Sequence, residues 1–184
     1  PGDIWALCAR SGLRHVVVGV ESGAQEILDR ITKGVRLEQV LDTAAKCAHH
    51  GIGATFSFIV GFPGESDASV HATLDLVKRL RALSPGFETQ IFYYKPYPGS
   101  SMAGELARAG YPLPRGLEAW ADFDYIGSSG PWVSAEKQQL VERFQFYNRV
   151  AHGRRSMLRW PLQRLARWRC ARDAGDVCDI FFAH

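Results

Sequence analysis

The chain reads as an α/β protein with a parallel sheet, on three observations. Short apolar, β-branched runs end abruptly at glycine or proline, as strands buried on both faces do. Each such run is followed by a segment of helical periodicity. The strand-to-strand connections are also long enough for parallel crossovers, which are right-handed in this class. Three strands arranged this way suit a sheet of barrel or doubly wound type, and three strands do not close a barrel alone.

Taken in order, Ile4 to Ser11 has the pattern of a helix already under way that stops at Gly12. Val16 to Val20 forms the first strand, terminated by Glu21-Ser22-Gly23. Ser22 can cap a helix from Ala24 to Thr32, where Ile27, Leu28 and Ile31 share one face and Lys33-Gly34 ends the run. A second helix spans Leu37 to His50 with Gly51 as its stop. Ile52 to Val60 is the second strand, Phe62-Pro63-Gly64-Glu65-Ser66 a turn, and Asp67 to Ala82 a helix with Val70, Leu74, Val77 and Leu80 in line. Ser84-Pro85-Gly86 breaks it. The third strand, Glu88 to Tyr94, closes at Lys95 to Ser101, and a short helix runs from Met102 to Arg108. Phe92 and either Tyr93 or Tyr94 are expected in the core, and Tyr97 outside it.

From Gly110 to Val133 the composition shifts to Pro, Gly, Ser and aromatics without periodicity, as expected of a loop that packs over the open end of the sheet or serves as a lid. Ser134 to His152 and Pro161 to Arg172 are the last helices. The domain division expected is 1–109, 110–133 and 134–184.

With 46% hydrophobic residues and a mean hydropathy of −0.14, the composition is that of a soluble globular chain. No apolar run reaches the ~20 residues that span a bilayer, and no secretory signal segment opens the chain. The start at Pro1 points to a C-terminal piece of a longer protein. Cys8, Cys47, Cys170 and Cys178 have neither disulfide-framework nor metal-ligand spacing, and are expected to be mostly buried cytosolic thiols. The net charge of +3 is unevenly placed: Arg149 to Arg172 holds eight arginines and no acid, so the rest of the chain is net acidic.

Two strand-to-loop corners carry the candidate chemistry. At the first, Glu21 follows the last strand residue, where a carboxylate meets whatever lies at the C-terminal ends of the strands. It suits paired hydroxyls or an amino group, and Ser22 with the next helix's free amides suits a carboxylate or phosphate. The structural alternative for Glu21 is a helix-capping acid. At the second corner, Ile59-Val60-Gly61 offers an apolar strip with backbone groups that suit an adenine edge, and Ser57 shares a face with Ile59. The alternative is a buried strand followed by an ordinary turn.

Several stretches together resemble the C-terminal half of a radical S-adenosylmethionine enzyme. They are Gly19-Val20-Glu21-Ser22-Gly23, Ile27 to Gly34, Gly51-Ile52, Phe58-Ile59-Val60-Gly61-Phe62-Pro63-Gly64-Glu65 and Tyr97-Pro98-Gly99-Ser100. The nearest likeness is to the branch carrying an N-terminal cobalamin-binding domain, and it covers about Asp3 to Leu106. The resemblance implies the C-terminal half of a partial TIM-type (β/α) barrel with three parallel strands and a helical C-terminal extension. It implies that Glu21 and Ser22 reach the ribose or amino group of S-adenosylmethionine, that Lys33 meets the methionyl carboxylate, and that Ile59, Val60 and Gly61 lie against adenine. Ser57 stands where some relatives carry an acid for the ribose. Without the family, Lys33 is only a solvated lysine before a capping glycine.

The resemblance further implies a 4Fe-4S cluster whose CxxxCxxC loop is not in this chain and is expected upstream, in an N-terminal half of the same protein. The implied chemistry is formation of a 5′-deoxyadenosyl radical, with cobalamin-dependent methyl transfer or C–C or C–S bond formation as its outcome. The chain alone is expected to be inactive. Its substrate is expected to be a small or lipid-like molecule, and its location cytoplasmic, with peripheral membrane contact. A methylthiotransferase acting on RNA is weakened by the absence of an appended β-barrel after Val133. The tail from Arg154 to Arg172 suits an anionic membrane surface, an RNA partner ranking behind it. The ordinary alternative is a docking helix that buries Trp160, Leu162, Leu165 and Trp168. A non-catalytic half-barrel docking through that tail is the alternative for the whole chain.

Overall fold

A computed structural model describes residues 3–121, 129–153 and 159–172. The element order is α1 (Ile4–Arg10), β1 (His15–Glu21), α2 (Gln25–Arg30), α3 (Leu37–His49), β2 (Gly53–Val60), α4 (Asp67–Leu83), β3 (Phe87–Tyr93), α5 (Ser101–Arg108), α6 (Leu117–Ala121), α7 (Ala135–His152) and α8 (Trp160–Arg172). The three strands form one parallel sheet in the order β1-β2-β3. This is the α/β architecture expected of a partial (β/α) barrel. Boundaries fall within a residue or two of the sequence expectation for most elements, because glycine and proline set the stops. Helix α1 differs: it has a beginning of its own, since the Asp3 carboxylate accepts the Trp5 and Ala6 amides as an N-cap.

The sheet has two unlike faces. Ala54, Phe56, Phe58 and Val60 of β2 are all fully buried, and α3 and α4 both pack on β2, with α4 reaching β3 as well. Val40, Ala44 and Cys47 of α3 and Val70, Leu74, Val77 and Leu80 of α4 complete this layer. Burying a side chain of this size stabilises a fold by ~1.5–3 kcal/mol, so the helical layer fixes which face of the strands turns inward. The opposite face is open. Val17 is 75% exposed and Phe92 48% exposed, and the register aligns Val17 with Thr55 and Glu88, Gly19 with Ser57 and Gln90, and Ile59 with Phe92. Phe92 therefore does not enter the core as its composition suggested: strand alternation sets it on the open side, level with Ile59. Tyr94, just past the end of β3, is buried instead in a cluster with Phe62, Met102 and Leu106. Tyr97 is exposed, as expected.

The chain divides into two units, Pro1–Gln138 and Gln139–His184. The described part of the aromatic loop belongs to the first, with Tyr111, Leu113 and Trp132 packed around Phe62, Tyr94, Met102 and Leu106. In the second unit α8 lies along the C-terminal part of α7: the Gln163 amide donates to the Gly153 carbonyl at 3.2 Å and the Arg167 Nε to the Ala151 carbonyl at 3.3 Å. Among the described residues no helix is long and apolar enough to cross a membrane. Of the three cysteines described, only Cys47 is buried, and none of the three is in a disulfide. Cys178 lies outside the described residues.

Candidate functional site: the carboxyl ends of β1 and β2

Strand β1 ends irregularly. Gly19 pairs with Ser57 but Glu21 pairs with Phe58, so Val20 is an extra residue and the strand bulges at its last step. Glu21 has φ 71, a left-handed conformation that a non-glycine residue adopts at a cost of ~1–3 kcal/mol. The result is a carboxylate folded back over the open face. A Cβ on Gly19 would stand 2.8 Å from Glu21 Oε1 and 3.3 Å from Lys33 Nζ, so glycine is the residue that leaves room for the pair. Lys33 Nζ donates to Glu21 Oε1 at 2.7 Å. Both side chains keep contact with solvent, at 31% and 19% exposure for Lys33 and Glu21.

Lys33 reaches this position through the turn that follows α2. The helix stops at Arg30, Thr32 turns left-handed at φ 55, and the Lys33 amide bonds back to the Leu28 carbonyl at 2.9 Å. The chain thus doubles back so that residues twelve positions apart meet. A partly exposed ion pair of this kind contributes at most ~1 kcal/mol to folding, which leaves both groups available to a ligand carrying the complementary charges.

Ser22 is placed differently from its neighbour. It is fully buried, its hydroxyl accepts the Ala24 amide at 3.1 Å, and it lies 3.3 Å from the Thr73 hydroxyl on α4. The Gly23 amide donates to the same Thr73 oxygen at 2.9 Å. These bonds tie the corner to α4, and they turn the Ser22 hydroxyl away from the open face. Ser22 is also not the helix cap, which falls at Ala24.

At the second corner the backbone groups are engaged within the protein. The Val60 carbonyl accepts the Tyr94 amide at 2.8 Å. The Gly61 carbonyl accepts the Trp132 indole N–H at 2.8 Å, and the Gly61 and Phe62 amides donate to Glu65 Oε2 at 2.5 and 3.2 Å. Gly61 has φ 76, and Val133 occupies the space a side chain there would need. An adenine edge read through the free amide and carbonyl of Gly61 therefore has no free partner there. Ser57 and Ile59 are half-buried on the open face, and the Val60 side chain is fully buried on the helical side. Of the candidate residues, Glu21, Lys33, Ser57 and Ile59 come together on one face of the sheet, while Ser22 and Val60 turn from it.

Glu65 is the residue that sequence reasoning passed over. It is 5% exposed with Oε1 unpartnered. Burial raises its carboxyl pKa, against the opposing pull of the Gly61 and Phe62 amides and of Lys137. Lys137 also donates to the Glu65 carbonyl at 2.6 Å and pairs with Asp67 at 3.2 Å. A carboxylate four residues after a strand-ending glycine is the signal that would have found it. Arg30 braces the same turn, donating to the Pro63 carbonyl and pairing with Glu105 at 2.7 Å.

This arrangement can hold a zwitterion: an ammonium on Glu21, a carboxylate on Lys33, and an apolar body along Ile59. Among the described residues no group of three His, Cys, Asp or Glu has metal-binding geometry.

Residues 2–77 match the family model described as Radical SAM superfamily. The tRNA-2-methylthio-N(6)-dimethylallyladenosine synthase of Moorella thermoacetica is 37% identical over 101 residues, which are 52% of this chain and 22% of that protein. An uncharacterized methyltransferase of Pyrococcus horikoshii is 34% identical over 91 residues, 50% of this chain and 19% of the relative. A longer match, 28% identical over 152 residues, links 77% of the chain to 34% of the Geotalea uraniireducens synthase. The chain therefore spans between about a fifth and a third of the length of these curated relatives.

Proposed function

We propose that this chain, whose residues 2–77 match the Radical SAM superfamily model, contributes the S-adenosylmethionine-gripping strand ends of an enzyme that transfers a methyl or methylthio group. The observation that carries the proposal is the Glu21–Lys33 pair, held over Gly19 by a bulge and a left-handed backbone. The methionyl end of S-adenosylmethionine carries an ammonium and a carboxylate side by side, and Glu21 and Lys33 present the complementary charges. Glu21 accepts from the ammonium, Lys33 donates to the carboxylate, and Ser57 stands at the register position of Gly19 to meet a ribose hydroxyl. Ile59 supplies the apolar wall for the adenine, with the backbone behind it fixed by Glu65 and Trp132.

Bound S-adenosylmethionine supplies the activated methyl group and, next to a reduced 4Fe-4S cluster, the source of a carbon radical. The described cysteines do not fit the cluster: Cys47 is buried and its thiol pKa is raised by that burial, and among the described residues neither Cys8 nor Cys170 stands in a group of three potential ligands. This chain's residues accordingly bind and orient, and the cluster ligands belong to other sequence. The methylthio assignment draws on the relatives' names, which specify a tRNA adenosine product, and the methyl assignment on the second relative.

The direct test is titration of S-adenosylmethionine into the 184-residue chain, followed by backbone NMR. Shifts are expected at Gly19, Glu21, Lys33 and Ser57, with ~10-fold or greater weakening in Glu21→Gln or Lys33→Met. Shifts that avoid these residues, or none at millimolar ligand, would sink the proposal. In the chain joined to a cluster-bearing partner sequence, 5′-deoxyadenosine or S-adenosylhomocysteine is the expected product, and a cobalamin requirement would identify cobalamin-dependent methyl transfer.

A further inference from the structure

Helix α8 turns the residues of a protein-packing helix the wrong way round. Its inward face is polar or small: Gln163, Ala166 and Arg169 are 5%, 2% and 5% exposed. Exposed on the helix are Trp160 at 57% and Trp168 at 45% on the outward side, with Leu165 at 38% and Leu162 at 46% at the edge toward α7. Water-facing tryptophan and leucine on four positions of a thirteen-residue helix leave an apolar face that a solvated helix does not need.

The cations are arranged around that face. The Arg164 guanidinium lies 5.0 Å from the Trp160 ring centroid, and Arg169 lies 5.7 Å from that of Trp168. Arg164, stacked on an exposed tryptophan, stays close to the apolar surface while keeping its charge outward, whereas Arg169 is buried between Trp168 and Tyr147. Between α7 and α8 two adjoining hollows of about 360 and 240 Å³ share Val150 and Leu162. The smaller is lined by Phe146, Tyr147, Leu165 and Ala166 besides, and the larger has Arg149 and Arg159 at its rim. An apolar floor with a cationic rim is therefore repeated at the groove and along the helix.

We propose that α8 and the α7–α8 groove form a peripheral docking surface for an anionic phospholipid bilayer. The sequence supplies the charge: Arg149 to Arg172 holds eight arginines and no acid, and the exposed Arg149, Arg159, Arg164 and Arg167 favour an anionic complementary surface. The apolar argument selects among anionic surfaces. Leu162 and Leu165 gain nothing from a phosphate backbone in water but bury their side chains at the headgroup–acyl boundary, where tryptophan also partitions. The groove between α7 and α8 takes part of an acyl chain, with Arg149 and Arg159 on its phosphate.

The test uses the whole 184-residue chain in flotation with vesicles of pure phosphatidylcholine and of phosphatidylcholine with phosphatidylglycerol. Binding is expected only to the anionic vesicles, weakening as salt rises from about 0.05 M to about 0.5 M. Arg159→Ala and Arg164→Ala should each lower the partition about fivefold. The double change Trp160→Ala with Trp168→Ala should lower it about tenfold or more while leaving the salt dependence in place. Brominated lipid should quench the fluorescence of the unaltered chain more than that of Trp160→Phe with Trp168→Phe, a readout that survives any folding defect in the alanine variants. Three results overturn the proposal. The first is no flotation with anionic vesicles, and the second is flotation indifferent to the tryptophans. The third is binding to polyuridylate or self-association that shows the same residue dependence without vesicle binding.

Discussion

Gly23→Ala tests whether the first corner is built by close backbone approach. A Cβ at this position would lie 2.6 Å from Thr73 Cα and overlap the Ala72 carbonyl. Carbon atoms in contact prefer ~3.5–4.0 Å, so the corner and α4 must separate by about 1 Å. Two costs follow. Overpacking against fixed backbone costs ~1–3 kcal/mol, and the Gly23 amide loses its 2.9 Å bond to Thr73 Oγ1 in a half-buried setting, another ~0.5–1.5 kcal/mol. A total near 3 kcal/mol corresponds to a fall in Tm of roughly 6–12 °C for a chain of this size. The assay is urea and thermal denaturation of wild type, Gly23→Ala, Thr73→Ala and the double variant. The clash is with backbone, so truncating Thr73 should not rescue it, and the double variant should be no more stable than Gly23→Ala. A loss under ~0.5 kcal/mol, or rescue by Thr73→Ala, would refute the account.

The second corner makes two further claims. Glu65 has its carboxyl pKa raised by burial, so the folded chain takes up a proton at higher pH than the unfolded chain. Stability from this group therefore rises as pH falls from neutrality through the raised folded value, and levels off below the ordinary value of 4.5. Urea midpoints of wild type minus Glu65→Gln across that window should show this slope, and a flat or opposite difference would contradict it. Trp132→Phe removes the indole donor to the Gly61 carbonyl, so it should cost about 1–2 kcal/mol and shift the Gly61 and Phe62 amide resonances. Unmoved amides would show that Trp132 is not a brace.

Much of the fold was legible because its punctuation is local. Gly12, Gly51 and Ser84-Pro85-Gly86 stop their elements by backbone freedom or a lost donor, which needs no tertiary information. The site was legible in part. That Glu21 follows an apolar run could be read, but its bulge and left-handed φ depend on pairing with β2, and its meeting with Lys33 depends on the turn at Thr32. Ser22 was grouped with Glu21 by adjacency, yet successive residues at a strand end face opposite ways, and Thr73 on α4 supplied a closer partner. Phe92 illustrates the converse. Hydrophobicity suggested core, whereas the face it occupies depends on register with Ile59. In α8 periodicity alone could not say which side turns outward; the sequence left open a docking helix that buries Trp160, Leu162, Leu165 and Trp168, and all four are exposed in this chain. Arg154 and Arg155 lie outside the described residues.

Whether the Glu21–Lys33 pair is a ligand grip or only a structural tie can be decided by reversing it. A structural tie depends on attraction between two side chains, and Glu21→Lys with Lys33→Glu preserves that attraction across the same gap over Gly19. Because the pair is partly exposed, the exchange should change folding stability by no more than about 1 kcal/mol. A zwitterionic ligand does not tolerate the exchange. Its ammonium and carboxylate are fixed on one carbon, and in the reversed site each faces a like charge unless the whole ligand turns over. Turning over carries the adenine away from Ile59, so one set of contacts or the other is lost, and with each charge-assisted bond worth ~1.5–3 kcal/mol the affinity falls at least ~100-fold. The expected result is thus a reversed variant that folds like wild type and no longer responds to S-adenosylmethionine, with Glu21→Lys alone impaired in both. Equal binding by wild type and the reversed variant would leave the pair as a structural feature and remove the basis for placing the methionyl group there.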